Sequence, residues 1–122
     1  MAKPAAKAPA DKVALYEALI AGLPEVQRKG AGFPYTSVNG NMFSVLGAEG
    51  VMGLRLAPED REAFLRDHKA KLYESHGIVM KEYVAVPDAL LADRAALAPY
   101  VRAGYAYART LRPKRTTRAK KG

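Results

Sequence analysis

Apolar and polar positions follow two periods along this chain, and the changes of period mark out its elements. From Asp11, the apolar residues Val13, Tyr16, Ile20 and Leu23 recur at i, i+3, i+7 and i+10, with Leu19 alongside. This spacing predicts an amphipathic helix, N-capped by Asp11 and ended by Gly22 and Pro24. From Val26 the period shortens. Residues 26–29 read as a short strand broken at Gly30 and Gly32. Residues 35–38 and 42–46 are two runs joined by Asn39-Gly40, a dipeptide that accepts the positive φ values of a type I′ hairpin turn. After a second turn at residues 47–50, the run 51–56 puts Met52, Leu54 and Leu56 on one face. Together these runs predict a three-stranded meander.

Helical spacing returns at Pro58, a residue suited to the first helical position, with Glu59 and Asp60 beside the positive end of the helix dipole. The helix is expected to reach about His68, with Phe64 and Leu65 inward and a Glu62–Arg66 pair outward. Residues 71–75 read as a short strand, and residues 79–86, dense in Val and Tyr, as a longer one ended by Pro87. A last helix covers most of 94–111, with an irregular start expected from Pro99. Its stripe is Leu97, Val101, Gly104, Ala108 and Leu111, and the small residues in mid-stripe predict a close approach to the sheet. The order α-β-β-β-α-β-β-α, with strands grouped in meanders, predicts an α+β two-layer sandwich on a largely antiparallel sheet.

Composition narrows what such a fold does. The 122 residues suit one domain, placed at residues 11–111 between an Ala/Pro/Lys arm at 1–10 and a basic tail at 112–122. With no cysteine, disulfides, thiolate catalysis and Cys-ligated metals are excluded. No apolar run approaches 18 residues and the first dozen residues lack a hydrophobic signal core, so a cytoplasmic protein without a membrane partner is expected. The net charge of +8 is a property of the tails: residues 11–108 carry 11 Lys/Arg against all 12 Asp/Glu, while residues 109–122 carry seven basic residues and no acid.

Candidate chemistry is sparse. His68 and His76, with Asp67 and Glu74 nearby, are proper metal-ligand types, but they lack the i, i+4 spacing that sets two imidazoles on one helix face. His68 shares a face with Arg61, Phe64 and Leu65 and reads as a core-margin residue. A small hydrolase or transferase using His68 or His76 is the distant alternative. Gly30-Ala31-Gly32 lacks the third glycine of a dinucleotide fingerprint and is followed by Pro34, so these glycines read as turn residues. None of Ser37, Ser44 and Ser75 sits in a nucleophile elbow, and Ser37 and Ser44 are expected to face solvent or strand neighbours. Of the tyrosines on the last helix, Tyr100 and Tyr107 share a face that reads as core edge, and Tyr105 points elsewhere, towards a wet interface. No catalytic residue, metal, cofactor or small-molecule substrate is expected.

The tail is the strongest physical signal. Arg112, Lys114, Arg115, Arg118, Lys120 and Lys121, spaced by small polar residues, suit a polyanion. Neutralising about six phosphates would give a salt slope near −5 on duplex DNA. Without interleaved aromatics it carries no base specificity, and a solubilising tail is the competing reading.

The stretch from Gly32 through Phe33, Pro34, Tyr35, Asn39, Gly40 and Asn41 to Phe43 resembles the N-terminal domain family of TfoX/Sxy competence regulators. Residues 53–56, 58–61 and 64–65 continue the resemblance, as do 80–87, Leu90, Asp93 and 105–111, so that it spans about residues 12–113. It implies a secretion-chaperone-like α+β sandwich in a bacterial-type regulatory domain, with no catalytic residue, metal or cofactor. Full-length relatives carry a second, C-terminal helical domain where this chain has its basic tail, which implies a stand-alone member. Residues 28–32 depart from the Lys-Met-Phe-Gly-Gly run of many relatives. The expected function is therefore non-catalytic binding of a regulatory protein in competence-like or transcriptional control, through Phe33, Pro34, Asn39, Asn41 and Phe43. Asn39 as a turn former and Phe43 as core is the competing reading of those residues. A nucleic-acid accessory protein working through the tail is the alternative function.

Overall fold

The computed structural model describes residues 8–30, 33–75 and 77–113. The elements are α1 (Ala10–Ala21), β1 (Tyr35–Val38), β2 (Asn41–Leu46), β3 (Met52–Arg55), α2 (Pro58–Asp67), β4 (Leu72–Ser75), β5 (Ile78–Val86), α3 (Asp88–Leu91) and α4 (Arg94–Arg109). The strands form one five-stranded antiparallel sheet in the order β1-β2-β3-β5-β4. The helices cover one face of it: α4 packs on β1, β2 and β3, α1 on α4 and β2, and α2 on β5. This is the α+β two-layer sandwich expected from the element order.

One core lies between the layers. Tyr16, Leu19 and Ile20 of α1, Phe64 of α2, and Leu97, Val101 and Ala108 of α4 meet Phe43, Leu46, Met52, Leu54, Val84 and Val86 of the sheet. The small residues of α4 allow the expected close approach, since a Cβ at Gly104 would stand 2.6 Å from the Arg55 carbonyl oxygen. Asn39 and Gly40 have φ values of 54° and 79°, the left-handed pair of a type I′ turn.

Several expectations are corrected. Pro9, not Asp11, caps α1; the Pro9 carbonyl accepts from Val13 N at 3.0 Å, and Asp11 stands in the first turn as a charge favourable to the dipole. Ala8 is buried in the core, so the arm residues from 8 onward pack with the body. The 26–29 strand reduces to a single bridge, Lys29 to Tyr35, along the outer edge of β1. Residues 88–91, to which the pattern assigns no element, form α3. Pro99 does not disturb α4, which runs without interruption from its Asp93 cap, where Asp93 Oδ1 accepts from Ala96 N at 3.2 Å. Pro99 and Ala95 are both exposed, so water reaches the carbonyl that a proline nitrogen cannot serve. Arg66 Nε lies 3.3 Å from Asp67 Oδ1 instead of pairing with Glu62.

The most consequential departure is in β2. Thr36 faces Ser44 but Ser37 faces Met42, so Phe43 is an extra, bulged residue. The bulge places Phe43 and Ser44 on the same side, and Asn41, Phe43, Ser44 and Leu46 are all buried while Met42 and Val45 are not. Ser44, expected to face solvent or strand neighbours, is fully buried and meets its neighbour on β1, with its Oγ 2.5 Å from Thr36 Oγ1 and 2.6 Å from Tyr16 Oη. Burial pushes the Tyr16 phenol up to about 12, against the smaller opposing effect of these hydroxyls.

Candidate functional site

With every helix on one face, the other face of the sheet is left to its own side chains. By strand alternation it carries Tyr35, Ser37, Met42, Val45, Gly53, Arg55 and Ala85. Two tyrosines lie across it. Tyr83 donates from its hydroxyl to the Met42 carbonyl at 2.7 Å, and the Arg55 guanidinium sits 5.8 Å from the Tyr83 ring centre while gripping Glu82 at 2.6 Å. Tyr73 reaches in from the sheet edge. A Cβ at Gly53 would stand 2.8 Å from the Tyr73 ring, and one at Gly47 would stand 2.6 Å from its hydroxyl oxygen.

The pairing of β4 with β5 explains how an edge residue reaches so far. Leu72 faces Val84, but Tyr73 faces Met80, so residues 81–83 are looped out of this ladder while Tyr83 stays paired to Arg55 of β3. The insertion bends the outer half of the hairpin over the open face. As a result Tyr73, Glu74, Ser75 and Gly77 of the hairpin and Phe33, Val45, Gly47, Ala48, Glu49 and Val51 of the sheet body line one groove of about 650 Å³. Phe33, Val45, Ala48, Val51 and Tyr73 supply its apolar and aromatic surface. Among the described residues its charged lining consists of two carboxylates, Glu49 and Glu74, and no ion pair among those residues engages either one. The Tyr73 phenol is pushed above its ordinary range by burial first and by the Glu49 charge second, so at neutral pH it is a neutral hydrogen-bonding group in the groove wall. Beside the groove, Ile78 and Val79 project from the same hairpin with 67% and 43% of their surface exposed.

No protein-family model matches this chain, and no curated protein matches it. The site therefore rests on its own geometry.

The structure separates the residues expected to form a protein-binding hairpin surface. Phe33 is 39% exposed and lies in the groove wall. Asn39 is exposed and makes the turn. Pro34, Asn41 and Phe43 are buried and offer no outer surface. The bulge turns Phe43 into the core, where it meets Tyr105 edge-on at 5.6 Å between ring centres, and the Asn41 side-chain amide donates to the Arg112 carbonyl at 3.0 Å. Tyr105, read as pointing away, thus closes the core edge, together with Tyr100. Of the six basic tail residues, Arg112 is exposed where the chain leaves the body; Lys114, Arg115, Arg118, Lys120 and Lys121 lie outside the described residues.

His68 sits at the core margin, its Nε2 2.9 Å from the Tyr100 hydroxyl and its ring against Phe64. His76, Ala31 and Gly32 lie outside the described residues. Among the described residues no group of three His, Cys, Asp or Glu is placed to hold a metal ion, and no helix is long and apolar enough to cross a membrane.

Sequence reasoning missed Tyr73, Val45, Glu49 and Glu74 as a group. One signal for the groove was present. Gly53 stands between Met52 and Leu54 in a strand, where a missing side chain marks a close approach by something else.

Proposed function

We propose that this chain is a non-catalytic, cytoplasmic protein-interaction domain of the TfoX N-terminal type, and that its working surface is the open sheet face beneath the β4–β5 hairpin. The observation that supports this most is the asymmetry of the two layers. One face is sealed by helices, while the other presents Phe33, Val45 and Tyr73 in a groove flanked by exposed Ile78 and Val79. A concentration of apolar surface rimmed by polar groups is what a docking site requires and what a monomer otherwise avoids. The resemblance over residues 32–43 and 80–87 supplies the regulatory, competence-like context, and the element order agrees with the fold which that resemblance implies.

Photo-crosslinking residues placed singly at Phe33, Ala48 and Val79 test this reading, with Glu62 on the helical layer as control. The expected result is one and the same protein captured from all three positions and not from Glu62. Capture independent of position, or no capture, overturns it.

Binding to nucleic acid is the second reading, favoured by Arg112. Its carbonyl is tied to Asn41, so the basic residues beyond it start from a defined point at the β1–β2 end of the sheet. Duplex-DNA titration over a salt series, with the full chain and with residues 113–122 removed, separates the two. Binding confined to the full chain, with a slope near −5, assigns DNA affinity to the tail. Binding by both assigns it to the body and displaces the protein-interaction reading.

A further inference from the structure

We infer that the outer face of α4 seats the phosphate backbone of duplex DNA, held by Arg102 and Arg109 in continuity with the basic tail. The inference rests on the nucleic-acid reading above and extends it from the tail to the folded body, on a surface separate from the groove.

Charge complementarity carries it. Residues 94–122 contain nine Lys/Arg and no Asp or Glu, whereas residues 1–93 contain eleven Lys/Arg against all twelve acids. That boundary falls at the start of α4. Every charged residue along the helix is an arginine, and Arg94, Arg102 and Arg109 are all exposed. The rest of the helical layer differs. α1 exposes Asp11 and Glu17, and α2 exposes Glu59, Asp60, Glu62 and Asp67 against Arg66. A polyanion approaching this layer is drawn to α4 and repelled by α2.

Arg102 and Arg109 are two helical turns apart, about 10.5 Å along the axis, and leave the same side of α4; Arg94 sits about 80° round from Arg102. Neither of the pair is neutralised within the body. Arg102, with 54% of its side chain exposed, lies 3.8 Å from Glu25, a loose contact that a phosphate can replace. Arg109 has no ion pair among the described residues. Its guanidinium lies 5.7 Å from the Tyr105 ring centre, which steadies the group and leaves its charge free. Ala106 is exposed between them, and its methyl group leaves room for a phosphate. Arg112 follows just past the helix end, where its carbonyl accepts from the Asn41 amide at 3.0 Å. Asn41 is itself 2% exposed, so the tail is delivered from a fixed point beside Arg109. Once one of the two elements holds a duplex, the other meets it intramolecularly. The three arginines at 102, 109 and 112 are too few to hold DNA alone at physiological salt, so binding still requires the tail. Adding Arg102 and Arg109 to the six tail cations steepens the expected salt slope from near −5 to about −7.

The test is fluorescence anisotropy of a mixed-sequence duplex of about 20 base pairs, titrated with the full chain between about 50 and 200 mM salt. The expected slope is about −7, falling to about −5 in Arg102→Gln/Arg109→Gln, whose substitutions lie outside the core. Arg102→Lys/Arg109→Lys should keep the steep slope. So should Lys71→Gln/Lys81→Gln, which removes the same charge from exposed positions elsewhere on the body. A slope near −5 in the unaltered chain overturns the inference and leaves DNA affinity to the tail. An equal fall in the Lys71/Lys81 variant overturns it too, by making net charge the cause. Displacement of the duplex by poly-glutamate at equal charge assigns the face to an acidic protein instead. If the full chain does not bind the duplex, both the inference and the nucleic-acid reading beneath it fall.

Discussion

Phe43 shows how much rests on a single unpaired residue. Strict alternation along residues 41–46 would put Phe43 and Ser44 on opposite faces, and the sequence offers no residue that announces otherwise. The bulge turns both inward, so a phenylalanine suited to a binding surface becomes core and a serine suited to solvent joins a buried hydroxyl network with Tyr16 and Thr36. That network has a pH signature. The folded-state phenol is raised to about 12 from an unfolded value near 10, so its contribution is complete below pH 10 and is lost as pH rises from there through the folded value. The predicted outcome is a fall in unfolding free energy of about 3 kcal/mol across that interval attributable to this group, measured by urea unfolding. Tyr16→Phe should flatten the fall while lowering stability at neutral pH, since Ser44 and Thr36 lose a buried partner. Gly104 is the second residue on which packing turns. Gly104→Ala brings a methyl group against the backbone oxygen of Arg55 and should cost about 1–3 kcal/mol in the same experiment, despite the better helix propensity of alanine.

At the scale of elements, legibility follows the strength of the local signal. The β1–β2 hairpin is readable because Asn39-Gly40 is one of few dipeptides at ease with two positive φ values, and the structure has them. Gly40→Val should therefore destabilise the hairpin strongly, with a lowered melting temperature as the readout; an unchanged melting curve would contradict the turn type. Residues 58–67 are readable from proline at the first position with acidic residues beside it, and residues 94–109 from a continuous apolar stripe. What escapes the sequence is pairing at a distance. Lys29 has a partner only because residue 35 happens to pass it, and α3 is a single turn too short for any periodicity. The three-residue jump in the β4–β5 register is equally invisible, because residues 79–86 read as one uninterrupted strand and do form one. The Asp93 cap lies just before a helix whose start Pro99 predicts to be irregular, and the structure has a regular start instead. Asp93→Ala should cost about 1 kcal/mol in denaturant unfolding, the ordinary worth of an N-cap.

For the whole molecule, element order was enough to predict two layers, and the structure has them. The groove was not predictable in the same way. It exists because Tyr73 meets Gly53 and Gly47, 20 and 26 residues earlier in the chain, and the bent hairpin brings them together. The charge map divides similarly. Composition located the excess positive charge in the tails, but which carboxylates stand without a cation is a property of the folded surface. The bent hairpin has one more consequence, for the energetics of partial opening. Beyond the looped-out residues the described strands of its outer half pair with each other, and the Tyr73 ring over Gly53, with its hydroxyl at Gly47, ties it to the body. Releasing that ring breaks none of the ladder joining β1, β2, β3 and the inner half of β5, so this segment forms a separate unit on the exchange landscape. Deuterium should enter the amides of residues 78–80 through an excursion far cheaper than global unfolding, while those of residues 84–86 exchange only with the domain as a whole. Replacing Tyr73 with alanine should accelerate the first set by orders of magnitude and move the second only as far as overall stability falls.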